Sequence, residues 1–148
     1  MRVFPLLLLL FVLPASLSAQ AEKRHGIATD TKTYPQATAK EALASVLKAI
    51  EAKKFDYLVA HLAEPGFIDE RVKRVYGGKV EEQVADTRAR LDPATVKQLR
   101  KFLEDGKWTV DKTSALVQLE TVKDRVVRLV NKDGTWYLSH PFDPPAKD

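Results

Sequence analysis

Apolar residues recur every three or four positions in two successive runs in the first half of the chain. The runs are Leu43, Val46, Leu47 and Ile50, and then Phe55, Leu58, Val59 and Leu62. This spacing places each set on one face of a helix. Thr38 and Glu41 match a capping box at the start of the first run, and Pro65-Gly66 ends the second. The pattern predicts two antiparallel helices joined by a short break.

Three further helical runs follow before residue 106. The apolar positions of the third and fourth are Phe67, Ile68, Val72 and Val75, and then Val80, Val84 and Leu91. Charged residues outnumber apolar ones in both, so we expect these helices on the surface. The fifth run begins with Asp92-Pro93, a capping aspartate before a first-turn proline, and ends at Gly106. Its predicted buried face consists of Val96, Leu99, Phe102 and Leu103.

Beyond Gly106 the period changes from helical to alternating. Segments 107–113, 115–122, 124–132 and 135–140 are rich in Val, Thr, Trp and Tyr, which favours four antiparallel strands in a meander. Asp133-Gly134 is a strong hairpin signal because glycine adopts the positive φ that the turn requires. Trp136 and Tyr137 then point to opposite faces of the sheet. The predicted fold class is α+β, with N-terminal helices packed on one face of the sheet.

The two ends of the chain carry no helical or strand period. Residues 1–21 have a basic start, an apolar run from Leu6 to Leu13 and an Ala19-Gln20-Ala21 site, which together predict a secretory signal peptide cleaved after Ala21. The apolar run is too short to span a membrane, so we expect no stable anchor after cleavage. Residues 22–37 are interpreted as a mobile leader, 38–142 as one domain and 143–148 as a tail.

Charge and cysteine content indicate which compartment and which class of partner to expect. The chain has no cysteine and a net charge of +4, with the two signs interspersed along the sequence. An exported chain without disulfides is typical of a bacterial periplasm or a secreted protein held together by its core. Since nucleic-acid-binding proteins cluster their basic residues, we expect no nucleic-acid partner.

Two stretches resemble a known family. "ALASVLKAIEAKKFDYLVAHLAEP" and "VRLVNKDGTWYLS" are similar to exported members of the nuclear transport factor 2-like (SnoaL-like) superfamily, over roughly Thr38 to Ser139. The resemblance implies a cone-shaped, cystatin-like domain in which a bent sheet wraps around the helices and leaves a pocket at the open end. The superfamily includes isomerases, dehydratases and cyclases, and also binding or accessory domains without a reaction, so the fold does not decide the function.

Few residues are candidates for chemistry in such a pocket. His61 and Tyr57 are four apart on the second helix and share a face, which makes them weak catalytic candidates. The strands contribute apolar residues to the inner side, namely Val117, Leu119, Val127, Leu129 and Leu138. His61 therefore lacks an orienting partner and is interpreted as a partly exposed helix residue. Candidate ligand-binding residues are Trp108, Trp136 and Phe67, although core packing is favoured for both tryptophans.

The remaining motif search favours binding over catalysis. Three histidines without cysteine are too few for a structural zinc site, and no phosphate loop or cofactor fingerprint occurs, so we expect neither metal nor cofactor. The favoured hypothesis is an exported, non-catalytic domain that binds a small apolar molecule or a protein partner through the pocket or a sheet face. The alternative is a small isomerase- or hydratase-like enzyme using His61 and Tyr57. A homodimer formed through the sheet is a further prediction.

Overall fold

A computed structural model describes residues 21–141 of the chain. The predicted signal peptide up to residue 20 and the predicted tail, 143–148, lie outside these residues. The elements are β1 (Lys23–Arg24), β2 (Ile27–Ala28), α1 (Ala39–Glu51), α2 (Phe55–Tyr57), a π-helical turn (Leu58–Leu62), α3 (Pro65–Val75), α4 (Val80–Arg90), α5 (Pro93–Asp105), β3 (Lys107–Val110), β4 (Ser114–Leu119), β5 (Val122–Lys132) and β6 (Thr135–Pro141). None of the helices in this part of the chain is long and apolar enough to cross a bilayer.

The predicted helix starts are confirmed by their caps. At α1, the Thr38 hydroxyl accepts from the Glu41 amide at 3.1 Å, and the Glu41 carboxylate accepts from the Thr38 amide at 3.2 Å. At α5, the Asp92 carboxylate accepts from the Thr95 amide at 2.7 Å, with Pro93 in the first turn. Both caps satisfy amides that have no partner inside the helix, which fixes where each helix begins.

The sheet confirms the predicted α+β architecture and the meander. Four antiparallel strands lie in the order β3-β4-β5-β6. The β5–β6 turn has φ of 55° at Asp133 and 87° at Gly134, and the Asn131 side chain accepts from the Gly134 amide at 2.9 Å. The register shifts between Gln118 and Leu119, and again between Val127 and Leu129. Such shifts bend strands locally; the conical shape implied by the resemblance stays a prediction.

One face of the sheet and the helices share the main core. The buried inner positions of β4, β5 and β6 are Ala115, Val117, Leu119, Val127, Leu129, Trp136 and Leu138. From α5, Leu99 and Phe102 are fully buried, whereas Val96 and Leu103 of the predicted stripe are only half-buried. The predicted inner face of the sheet is therefore confirmed, and the predicted face of α5 is confirmed in its two central residues.

The segment predicted as a mobile leader is structured, which corrects the expectation that order begins near Thr38. Strands β1 and β2 form a hairpin whose turn, His25-Gly26, has positive φ at both residues. Further on, Tyr34 and Gln36 are buried. The Gln36 amide nitrogen donates to the carbonyls of His61 at 3.0 Å and Trp136 at 2.7 Å. Long-range hydrogen bonds, rather than an apolar period, order this segment.

The second predicted helix also differs from a regular α-helix. After the single turn of α2, residues 58–62 form a π-helical turn closed by the Ala63 amide on the Leu58 carbonyl at 2.9 Å. All five residues of the turn are buried. Leu58 and Leu62 face the main core, Val59 packs with Ile68 of α3, and His61 contacts the N-terminal segment. The main core, α3 and the N-terminal segment therefore bury the turn from three sides. Amphipathic spacing, which predicts one buried face, does not predict this burial.

Candidate functional site

A cavity of about 410 Å³ lies between the helices and the last strand. It is bounded by α1, the π-helical turn, α3, α4 and β6. Its apolar side consists of Val46, Leu58, Val59, Ala63, Phe67, Ile68, Leu91 and Leu138. Ala63 bridges Leu138 in parallel fashion, and the Glu64 amide donates to the Leu138 carbonyl at 2.9 Å. This connection holds the end of the π-helical turn beside β6 and forms one end of the cavity.

The polar side of the cavity consists of Ser139 of β6 together with Arg71, Gln83, Asp86, Thr87 and Arg90. Four of these residues, Gln83, Asp86, Thr87 and Arg90, belong to α4. Asp86, Thr87 and Arg90 follow Gln83 by three, four and seven residues, so all four share one helix face. The Asp86 Oδ2 atom accepts from Arg71 Nη2 at 3.1 Å and from Arg90 Nε at 2.9 Å. Arg71 Nη2 also donates to the Tyr76 hydroxyl at 3.3 Å. The arginines are thus held by Asp86 of α4 and by Tyr76, the residue that follows α3.

These contacts keep the polar side ionised. Burial raises the pKa of the Asp86 carboxyl, but hydrogen bonds from Arg90, Tyr76 and Arg71 outweigh burial and place the pKa below its usual range. The hydrogen bond to Tyr76 and the contact with Asp86 raise the pKa of Arg71. Two guanidiniums around one carboxylate leave the polar side net positive. A carboxylate with a lowered pKa is poorly suited to take or give a proton near neutral pH.

Gln83 differs from its neighbours because part of its amide has no partner. Its side chain is 4% exposed, and the nitrogen donates to the Thr87 hydroxyl at 3.0 Å. The amide oxygen is buried without a hydrogen-bond partner among the described residues. A buried acceptor left unpaired costs about 1–3 kcal/mol. In this orientation the amide nitrogen is paired with Thr87, and the oxygen is the atom without a described partner.

The two predicted catalytic residues lie elsewhere. His61 Nε2 is 2.7 Å from the Ile27 carbonyl, so this nitrogen carries the proton and donates. The Tyr57 hydroxyl accepts from the Asp30 amide at 2.9 Å. Burial raises the pKa of Tyr57, opposed by that amide. His61 is only 6% exposed, which corrects its interpretation as a partly exposed residue. The N-terminal segment covers it, and no local pattern in the sequence indicates this contact.

Tyr34, Gln36, Tyr57 and His61 form an N-terminal cluster. The Tyr34 and Tyr57 ring centroids are 4.5 Å apart, and those of Tyr57 and His61 are 5.0 Å apart. Neither Tyr57 nor His61 is among the described residues that line the cavity. The cluster connects the N-terminal segment to the π-helical turn, and the hydrogen bonds of Tyr57 and His61 are made with backbone groups of that segment.

Of the three predicted ligand-binding residues, the structure brings Phe67 to the cavity. Trp136 is 6% exposed and belongs to the main core. Trp108 is half-buried in β3, packs against the core, and its indole nitrogen is buried without a described hydrogen-bond partner. The polar residues of α4 were missed because charged residues on a predicted surface helix are ordinarily solvated; the spacing of Gln83, Asp86, Thr87 and Arg90 was the available signal.

Comparison of the chain with known protein families, curated proteins and solved structures finds no match. Within residues 21–141, no group of three or more His, Asp or Glu side chains is arranged to hold a metal ion. The cavity and the residues around it are therefore the features from which a function is inferred.

Proposed function

We propose that this protein is a non-catalytic domain that binds a small, largely apolar molecule in the cavity between α1, the π-helical turn, α3, α4 and β6. The observation that carries the proposal is the composition of the cavity, which combines a mainly apolar lining with a small group of polar residues. Ligand sites typically combine an apolar lining with a few fixed polar groups that orient the ligand.

The size of the cavity indicates the size of the ligand. A volume of about 410 Å³ is at the lower end of ordinary ligand pockets. Since one water occupies about 30 Å³ of the liquid, the space suits a molecule of on the order of a dozen non-hydrogen atoms. A ligand in this space makes van der Waals contacts with the apolar side chains and removes their surface from water.

The proposed site of action is outside the cytoplasm. The order of basic start, apolar run and small-residue site in residues 1–21 supports export, and so does the resemblance to exported members of the nuclear transport factor 2-like superfamily. A protein partner on the outer sheet face and a homodimer through the sheet stay predictions.

The alternative of an isomerase- or hydratase-like enzyme is less well supported. It would need His61 and Tyr57 beside a bound substrate, but both side chains are hydrogen-bonded to the backbone of the N-terminal segment. The carboxylate of the cavity, Asp86, has a lowered pKa because of its arginine and tyrosine partners. The backbone hydrogen bonds of His61 and Tyr57 and the lowered pKa of Asp86 therefore favour binding over catalysis.

Fluorescence of N-phenyl-1-naphthylamine, a neutral apolar probe, tests the proposal. We expect the wild-type protein to bind the probe with enhanced, blue-shifted emission. Ala63→Leu adds three carbons to a residue that lines the cavity and should weaken binding by about tenfold or more, because overfilling removes space for the probe. Ala44→Leu makes the same change on the exposed face of α1 and should leave binding unchanged.

Melting curves of the two leucine variants complete the test, since a folded Ala63→Leu protein is required. Failure of the wild-type protein to bind any apolar probe would contradict the proposal. Equal binding by a folded Ala63→Leu protein would contradict the assignment to this cavity.

A further inference from the structure

Gln83 is an unusual residue for its position. Helix α4 lies on the surface, and Gln83 is its one buried residue. An apolar side chain at this position would pack against the core without leaving any polar group unpaired. Instead, a glutamine lines the cavity, and its amide oxygen has no hydrogen-bond donor among the described residues.

The neighbouring side chains do not supply that donor. Arg71 donates to Tyr76 and Asp86, and Arg90 donates to Asp86. The Thr87 hydroxyl accepts from the Gln83 amide nitrogen. The Ser139 hydroxyl donates to the Glu64 carboxylate at 3.4 Å, and the other lining residues are apolar. A molecule inside the cavity is therefore the natural source of the missing donor.

We infer that the ligand of this cavity is a neutral amphipathic molecule, an apolar body ending in a hydrogen-bond donor such as an aliphatic hydroxyl, and that Gln83 selects it through that donor. The inference rests on the proposed binding function and adds the chemical class of the ligand. A hydroxyl suits the site because it donates to the Gln83 oxygen while its own oxygen accepts from a remaining guanidinium hydrogen of Arg71 or Arg90.

Charged ligands are less suitable on electrostatic grounds. A carboxylate would compete with Asp86 for the two guanidiniums and would face the unpaired amide oxygen with no hydrogen to give. An ammonium group would meet two arginines that outnumber the single carboxylate. A neutral donor avoids both conflicts and still satisfies Gln83.

Two isomers of equal size separate the donor from the apolar body. The alcohol 1-decanol and the ether 1-methoxynonane each have about a dozen non-hydrogen atoms, the size inferred from the cavity. Only the alcohol can donate a hydrogen bond. Displacement of N-phenyl-1-naphthylamine by each compound, and by decanoate, would be measured for wild type, Gln83→Leu and the exposed-site control Gln118→Leu.

We expect wild type to bind the alcohol about tenfold or more tightly than the ether, because a buried acceptor is paired only by the alcohol. Gln83→Leu should bring the two affinities within about twofold of each other, because the acceptor that only the alcohol can pair is then gone. Gln118→Leu should behave as wild type. Should Gln83→Leu fail to fold, Gln83→Met, which keeps the unbranched shape, provides the same comparison.

The outcomes separate this inference from the proposed function. Equal displacement by both isomers in wild type would overturn the role of Gln83 and leave apolar binding established. Preference for the ether or for decanoate would overturn the donor assignment. Retention of the alcohol preference in a folded Gln83→Leu or Gln83→Met protein would also overturn it. Absence of probe binding in wild type would overturn the proposed function itself.

Discussion

Two buried glutamines lie on either side of the π-helical turn, and their environments differ. Gln36, 9% exposed, belongs to the N-terminal cluster, where its amide nitrogen donates to two backbone carbonyls. Gln83, 4% exposed, lines the cavity, where its amide oxygen has no described partner. The Gln36 amide nitrogen has two described acceptors, whereas the Gln83 amide oxygen has no described donor.

The difference separates a structural polar cluster from a binding site. In the N-terminal cluster, Tyr57 and His61 also pair with backbone groups, so its hydrogen bonds join distant parts of the chain. A satisfied buried network stabilises one arrangement of the chain. In the cavity, the Gln83 oxygen has no described protein partner, and a ligand that donates to it would pair it. Substitutions in the two regions should therefore have different consequences.

The largest expected effect is that of Trp136→Ala, on the structural side of the comparison. Trp136 is buried in the main core, and its backbone carbonyl accepts from Gln36. Removing the indole should lower the free energy of unfolding by about 3–5 kcal/mol. Urea denaturation measures this loss. Trp108→Ala, at a half-buried position, should lower the free energy of unfolding clearly less. Equal losses would contradict the deeper burial of Trp136 in the core.

Gln36→Leu should have the next largest effect. The substitution leaves the carbonyls of His61 and Trp136 without their donor, which should destabilise the protein by about 2–4 kcal/mol. Urea denaturation again provides the measurement. Binding of the apolar probe should be retained by the folded fraction, because Gln36 is not among the residues that line the cavity. A variant as stable as wild type would show that the N-terminal segment contributes little.

Gln83→Leu should change stability by less than about 1 kcal/mol, or increase it. The substitution loses the hydrogen bond to Thr87 but also removes the unpaired acceptor, and the two effects oppose each other. Parallel urea titrations of the two glutamine variants make the contrast direct. A loss as large as that of Gln36→Leu would indicate a structural role for Gln83.

The smallest expected effect is the pH dependence contributed by Asp86. Its pKa is lowered in the folded protein, so its stabilising contribution is present above the ordinary aspartate pKa and is lost as pH falls through the lowered value. Because the side chain is 28% exposed, we expect under about 1 kcal/mol. Urea stability of wild type minus Asp86→Asn should be positive at pH 7 and shrink below about pH 4. A difference that grows towards acid would contradict the ion pairs.

The parts of this structure that were predictable from the sequence are those fixed by neighbouring residues. The Thr38 capping box, the Asp92-Pro93 helix start and the Asp133-Gly134 turn each depend on contacts within a few positions. The N-terminal cluster was not predictable because Gln36 pairs with groups 25 and 100 residues away. The burial of His61 was not predicted for the same reason.

The candidate site was predictable only in part. Phe67 was expected at a pocket, and the structure places it in the cavity lining. The polar side was not expected, because Gln83 is adjacent to Glu82 and near other charged residues that are exposed. Whether such a residue faces solvent or a cavity depends on how α3 and α4 pack, which spacing alone does not determine.

The most direct test of ligand binding in the cavity is the change in melting temperature that saturating 1-decanol produces in wild type and in Ala63→Leu. A ligand at 100 times its dissociation constant stabilises a folded protein by about 2.7 kcal/mol, which corresponds to a rise of roughly 10 °C in a domain of this size. We predict such a rise for wild type and for Ala44→Leu, and little or none for Ala63→Leu. The same rise in Ala63→Leu, or none in wild type, would contradict the assignment of this cavity as the binding site.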